Sequence, residues 1–109
     1  IEAIAKVPGV DTIFVGPSDL SASMGLLGDA GHADVQAKLA HAAQVCKRLG
    51  KPAGIIGPNP EMVARYVGYG YTWVAIGSDM SMMMGRAQEW LGLARGRPHV
   101  AGPPAQGSY

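Results

Sequence analysis

Cysteine is nearly absent, with one residue in 109, and that one Cys stands beside only three scattered His. No disulfide can close within the chain and no zinc-type cluster can form, which excludes a stapled secreted mini-protein and makes the cytosol the expected compartment. An excess of either charge is also missing. There are 9 Lys+Arg against 8 Asp+Glu, a net charge of +1, and only 16% charged residues. Such a balance gives neither a basic stripe for a phosphate backbone nor an acidic tail, so nucleic acid is excluded as a partner. No apolar run approaches the roughly 20 residues a membrane-spanning helix needs, and no charged segment leads into an apolar one at the N-terminus. No membrane association is expected. The chain opens on Ile1 rather than Met. Its length suits one small domain or a piece of a larger one, and the expectation is that residues precede it.

What the sequence does have is apolar residues at 48%, with 16 Gly and 8 Pro as punctuation. Ile1 to Val7 reads as the end of a helix closed by Pro8-Gly9. Thr12 to Val15 is rich in strand formers and stops at Gly16-Pro17. Ser18 to Met24 follows as a short helix, and Gly25 to Gly31 as a loop. Asp34 is placed to cap a helix reaching about Leu49, because Val35, Leu39, Ala42, Cys46 and Leu49 recur at spacings of three and four. Gly50 closes it. Ala53 to Ile56 is a second strand, after which Asn59 can cap and Pro60 can open a helix to about Val67. Tyr71 to Ile76 is a third strand, and Gly77-Ser78-Asp79 turns into a last helix with an apolar face of Met80, Met83, Met84, Ala87, Trp90, Leu91 and Ala94. From residue 96 onward three Gly and three Pro in fourteen residues, without periodicity, predict a disordered tail.

Strand and helix thus alternate three times before residue 95, the pattern of an α/β parallel sheet with crossover helices. Three parallel strands leave both sheet edges open, so the stretch in isolation is expected to be poorly stable or to aggregate. The simplest architecture is the C-terminal part of a TIM (β/α)₈ barrel, which needs about 250 residues when complete.

In such an architecture function belongs to the strand C-terminal ends. The first of these, Gly16-Pro17-Ser18-Asp19, starts a helix whose free amides at Ser18 and Asp19 suit an anion, carboxylate or phosphate alike. Asp19 adds an oxygen ligand for a hard divalent cation. Together they suit a 2-oxo acid, its carboxylate on the amides and its oxygens chelating a metal. On spacing alone helix capping is the favoured reading of Asp19, and Asp79 has the same two readings, with capping favoured again.

The segment Val10-Asp11-Thr12-Ile13-Phe14-Val15-Gly16-Pro17-Ser18-Asp19-Leu20-Ser21-Ala22-Ser23-Met24-Gly25 resembles a stretch of the HpcH/HpaI aldolases, metal-dependent (class II) pyruvate aldolases. The likeness continues through Gly50-Lys51, Pro52 to Ile55, Ala64 to Tyr66 and Val74 to Asp79, covering residues 1 to about 95. The resemblance implies Asp19 as a metal-ligating carboxylate, the Ser18 and Asp19 amides as holders of the pyruvyl carboxylate, and Ile56 as an apolar residue near the aldehyde side. A second acidic ligand, an Arg and a His of the family lie upstream of this chain. The implied reaction is retro-aldol cleavage of a 4-hydroxy-2-oxo acid to pyruvate and an aldehyde, as in aromatic-compound catabolism, with Mg²⁺, Mn²⁺ or Co²⁺ as Lewis acid. A homo-oligomer is implied too, a hexamer exchanging C-terminal helices.

No lysine Schiff base is needed, and Lys6, Lys38, Lys47 and Lys51 all fall at helices or helix ends. His41 reads as a solvated surface residue, His99 lies in the tail, and His32 is the one His with a claim on the pocket. Cys46 reads as a small core residue. The Met-rich face is read as core packing or a subunit contact, and Trp73 and Trp90 as packing. Two other readings stay open: a citrate-lyase-like or phosphoenolpyruvate-type lyase on the same barrel, and a non-catalytic module.

Overall fold

A computed structural model of the chain describes residues 1–96. The expected disordered tail, apart from Gly96, lies outside the described residues. The elements run α1 (Glu2–Ala5), β1 (Ile13–Val15), α2 (Pro17–Ser23), α3 (Ala33–Arg48), β2 (Ala53–Ile56), α4 (Pro60–Tyr69), β3 (Trp73–Ala75) and α5 (Asp79–Ala94). Every expected strand and helix is present, each within a few residues of its expected ends. The three strands form one sheet in the order β1-β2-β3, all parallel, with Phe14 opposite Gly54 and Gly54 opposite Trp73. Among the described residues both outer strands present an open edge.

Side chains alternate across the sheet, so each strand faces two ways. Ile13, Val15, Ile55 and Val74 face α3 and α4 and join Val35, Leu39, Ala43, Cys46, Tyr66 and Tyr71 in the core. The expected helical stripe on α3 is therefore correct, and His41 is exposed as expected. The helix ends where Gly50 takes a positive φ of 66°, its amide donating to the Lys47 carbonyl while that of Lys51 donates to Cys46. Those two bonds satisfy the last carbonyls of the helix.

Three expectations need correction. α3 is capped by His32, whose Nδ1 accepts from the Asp34 amide at 3.2 Å; Asp34 lies inside the first turn. α5 is capped by Ser78, whose Oγ accepts from the Ser81 amide, while Ser81 Oγ accepts in return from the Ser78 amide. Asp79 is therefore the first helical residue, and its Oδ1 accepts from the Met80 amide at 2.8 Å. A short hydroxyl before the first helical residue reaches the third amide with less strain than a carboxylate already inside the helix. Finally, of the two readings of the apolar face of α5, core packing does not hold among the described residues. None of its residues is buried, and Met80, Met83, Met84, Trp90 and Leu91 are all exposed. Periodicity marks a face that wants cover without naming the cover. Trp90 is thus exposed among the described residues, whereas Trp73 does pack, on the inner face of the sheet.

Candidate active site

Because the strands are parallel, their C-terminal ends and the turns after them share one edge: Gly16 to Asp19, Gly57 to Asn59, and Gly77 to Asp79. The first turn is shaped by its residues. Gly16 is the N-cap of α2 in extended conformation, Pro17 stands at the first helical position, and no side chain caps the helix. Pro17 has no amide proton, and Leu20 is the first residue to bond back, to the Gly16 carbonyl at 2.9 Å. The Ser18 and Asp19 amides precede that first bond and point out of the helix N-terminus, where an acceptor is favoured.

The Asp19 carboxylate folds back over the end of β1. A Cβ on Gly16 would lie 2.6 Å from Asp19 Oδ2, so the carboxylate occupies the space that glycine leaves. Asp19 is exposed and has no hydrogen bond or ion pair among the described residues. It is thus not a side-chain cap, which removes the plainer of its two readings. An oxygen donor so placed fits a hard divalent cation. Among the described residues no group of three or more His, Cys, Asp or Glu that could hold a metal ion is gathered around it.

Ile56 ends β2 on this same edge, half-buried and opposite Ala75. Beyond it Asn59 caps α4 through Oδ1, which accepts from the Met62 amide at 2.9 Å. Between the second and third turns opens a shallow cleft of about 370 Å³ lined by Asn59, Pro60, Val63, Ala64 and Ile76. No lysine reaches this edge among the described residues. Lys51 stands before β2 at the opposite end, where its Nζ donates to the Val10 carbonyl. His32 is committed to its capping bond. Cys46 is buried, and burial raises its thiol pKa above the usual range, as befits packing rather than nucleophilic chemistry.

A tyrosine cluster sits between α3 and α4, away from these turns. Tyr71 Oη donates to the Leu39 carbonyl at 2.9 Å and Tyr69 Oη to Gln36 Oε1 at 3.2 Å. The Tyr66 hydroxyl is buried without a hydrogen-bond partner of good geometry. Burial raises the pKa of both Tyr66 and Tyr71, with Gln36 pulling that of Tyr66 partly back.

Residues 1–85 match the family model described as HpcH/HpaI aldolase/citrate lyase. The chain belongs to this family. It is 47% identical over 97 residues to 2-dehydro-3,6-dideoxy-6-sulfogluconate aldolase of Pseudomonas putida, covering 89% of this chain and 38% of that protein. It is 45% identical over 89 residues to 5-keto-4-deoxy-D-glucarate aldolase of Klebsiella pneumoniae, covering 82% of this chain and 35% of that one. The chain therefore spans little more than a third of the length of these relatives. Among solved structures, an HpcH/HpaI aldolase/citrate lyase family protein from Burkholderia cenocepacia superposes with a TM-score of 0.82 at 36% identity, over 86% of this chain and 37% of that one. An HpcH/HpaI aldolase from Desulfitobacterium hafniense gives 0.80 at 21% identity, over 94% and 39%, and speaks for the fold alone. The three βα units are thus part of a (β/α)₈ barrel of this family. No helix among the described residues is long and apolar enough to cross a membrane.

Two features escaped sequence reasoning. One is the pairing of Phe14 with Trp73 on the inner face, ring centroids 4.9 Å apart. The other is His32 as a cap. The signal for the first was present as Gly54, a residue without a side chain in the middle of an apolar strand.

Proposed function

We propose that this chain is the C-terminal part of a metal-dependent pyruvate aldolase, a carbon-carbon lyase that cleaves a 4-hydroxy-2-oxo acid to pyruvate and an aldehyde. The observation that carries this reading is the Asp19 carboxylate, folded over Gly16 without a partner beside the unused amides of an uncapped helix. The Ser18 and Asp19 amides hold the carboxylate of the 2-oxo acid, and the positive end of α2 favours it there. Asp19 would hold Mg²⁺, Mn²⁺ or Co²⁺ through oxygen, with its other ligands and the proton-moving residues supplied by the rest of the barrel. A cation so bound supplies positive charge against the negative oxygen that develops as the C3–C4 bond breaks. Ile56 presents an apolar wall on the aldehyde side and keeps water from it.

Both curated relatives are named as aldolases of deoxy-keto sugar acids. Their names favour an aldolase over a citrate-lyase-like enzyme, and a sugar-acid substrate over an aromatic ring-fission product. The exposed face of α5 supports a homo-oligomer in which this helix is covered by another subunit. In a protein carrying this chain with the whole barrel, pyruvate release from 2-dehydro-3-deoxy sugar acids is expected with Mg²⁺ and lost on chelation. Asp19→Asn is expected to remove it and to weaken Mg²⁺ binding. Full activity of Asp19→Asn would overturn the proposal.

A further inference from the structure

One face of the sheet packs on helices; the other carries Thr12, Phe14, Gly54, Ile56, Trp73 and Ala75 and, among the described residues, takes no helix. Adjacent strands lie about 4.8 Å apart, so β1 and β3 are separated by about 10 Å across β2. Phe14 and Trp73 nevertheless meet at 4.9 Å. They can do so because Gly54, opposite both in register, has no side chain; a Cβ there would fall inside the indole. The ring is also held at its far edge. Trp73 Nε1 donates to Thr12 Oγ1 at 3.0 Å, and Thr12 Oγ1 donates to the Pro52 carbonyl at 3.0 Å.

The next inner-face positions toward the active edge are Gly16, Ile56 and Ala75. Above the indole the wall is thus a glycine, an alanine and one isoleucine, over a rise of about 6.6 Å for two residues. Gly16, in that layer, is also the N-cap of the helix that bears the Ser18 and Asp19 amides.

We propose that Trp73, carried across Gly54 onto Phe14, is the floor of the substrate pocket and sets how large a 2-oxo acid it accepts. The inference rests on the aldolase reading above. Trp73 is a specificity-determining residue in this account, limiting the depth below the anchored carboxylate. A pocket closed by a rigid ring discriminates against one added methylene by about ten- to two-hundredfold.

The test uses the complete barrel protein with Mg²⁺, measuring calorimetric binding of pyruvate and of 2-oxobutyrate, alongside cleavage of a 4-hydroxy-2-oxo acid. The unaltered protein is expected to prefer pyruvate by at least about tenfold. Trp73→Leu is expected to bring the two affinities close to equality, and Trp73→Phe to keep the preference. Gly54→Ala, which displaces the indole, is expected to weaken pyruvate binding, and the Gly54→Ala/Trp73→Leu pair to restore it without the preference. Should Trp73→Leu lose its fold by circular dichroism, Trp73→Met is read in its place. Pyruvate binding with an unchanged preference in the folded variant would overturn the floor and leave the aldolase reading standing. Neither cleavage nor pyruvate binding in the unaltered protein would overturn the aldolase reading and the floor with it.

Discussion

Replacing Gly16 by Ala tests the site without touching a charge or an amide. Gly16 sits at φ −89° and ψ 108°, a conformation open to any L-residue, so the substitution strains no backbone. Its new methyl would lie 2.6 Å from Asp19 Oδ2, where ordinary contact begins at 3.4 Å. The carboxylate must therefore retreat by about 0.8 Å, and misplacement of a reacting group by about 1 Å costs on the order of a hundredfold. The expected result in the complete barrel protein is a loss of about 10- to 100-fold in kcat/KM, or about 1.4 to 2.7 kcal/mol of transition-state stabilisation. Initial rates of pyruvate release against Mg²⁺ concentration read the effect, with a higher Mg²⁺ requirement expected. The thermal midpoint should barely move, since Asp19 is exposed and unpartnered. A Gly16→Ala protein with unaltered kcat/KM and Mg²⁺ dependence, beside an inactive Asp19→Asn, would refute the placement of the carboxylate over Gly16.

Alkaline pH should destabilise the fold through the tyrosine cluster. Burial raises the pKa of Tyr66 and Tyr71 in the folded state, so the folded chain keeps protons that the unfolded chain releases. Their contribution is present below the ordinary tyrosine value of about 10 and is lost as pH rises past it. Thermal midpoints should hold to about pH 9 and fall as pH rises past about 10, less steeply in Tyr71→Phe; a profile still flat at about pH 11 would contradict the cluster's burial. Tyr66→Phe removes a hydroxyl that lacks a well-formed bond and should leave stability within about 1 kcal/mol or raise it, read as the shift in thermal midpoint. Met83→Glu with Met84→Glu places charge on the uncovered face of α5 and should shift the protein to a smaller species on a sizing column. An unchanged elution volume would remove that face from any subunit contact.

Much of the fold was legible because its signals are local. Gly marks each strand end, with Pro after it at the first two, the three- and four-residue spacing marks α3, and Asn59-Pro60 opens α4 as capping chemistry requires. The Gly16-Pro17-Ser18-Asp19 turn was legible for the same reason, since its few residues shape one another. His32 was not, because an imidazole caps only when its neutral nitrogen happens to face an amide, as it does at the Asp34 amide.

The order of the strands and helices, their apolar faces and the candidate turn were therefore determined by the sequence, through interactions a few residues long. Three matters were decided by the tertiary structure. Asp19 is free of a capping bond because its carboxylate lies over Gly16. The face of α5 lies outside the core because nothing among the described residues packs over it. Phe14 and Trp73, 59 positions apart in the sequence, touch because parallel pairing sets Gly54 between them. Contacts of that kind depend on register, and register is a property of the assembled sheet rather than of any one strand.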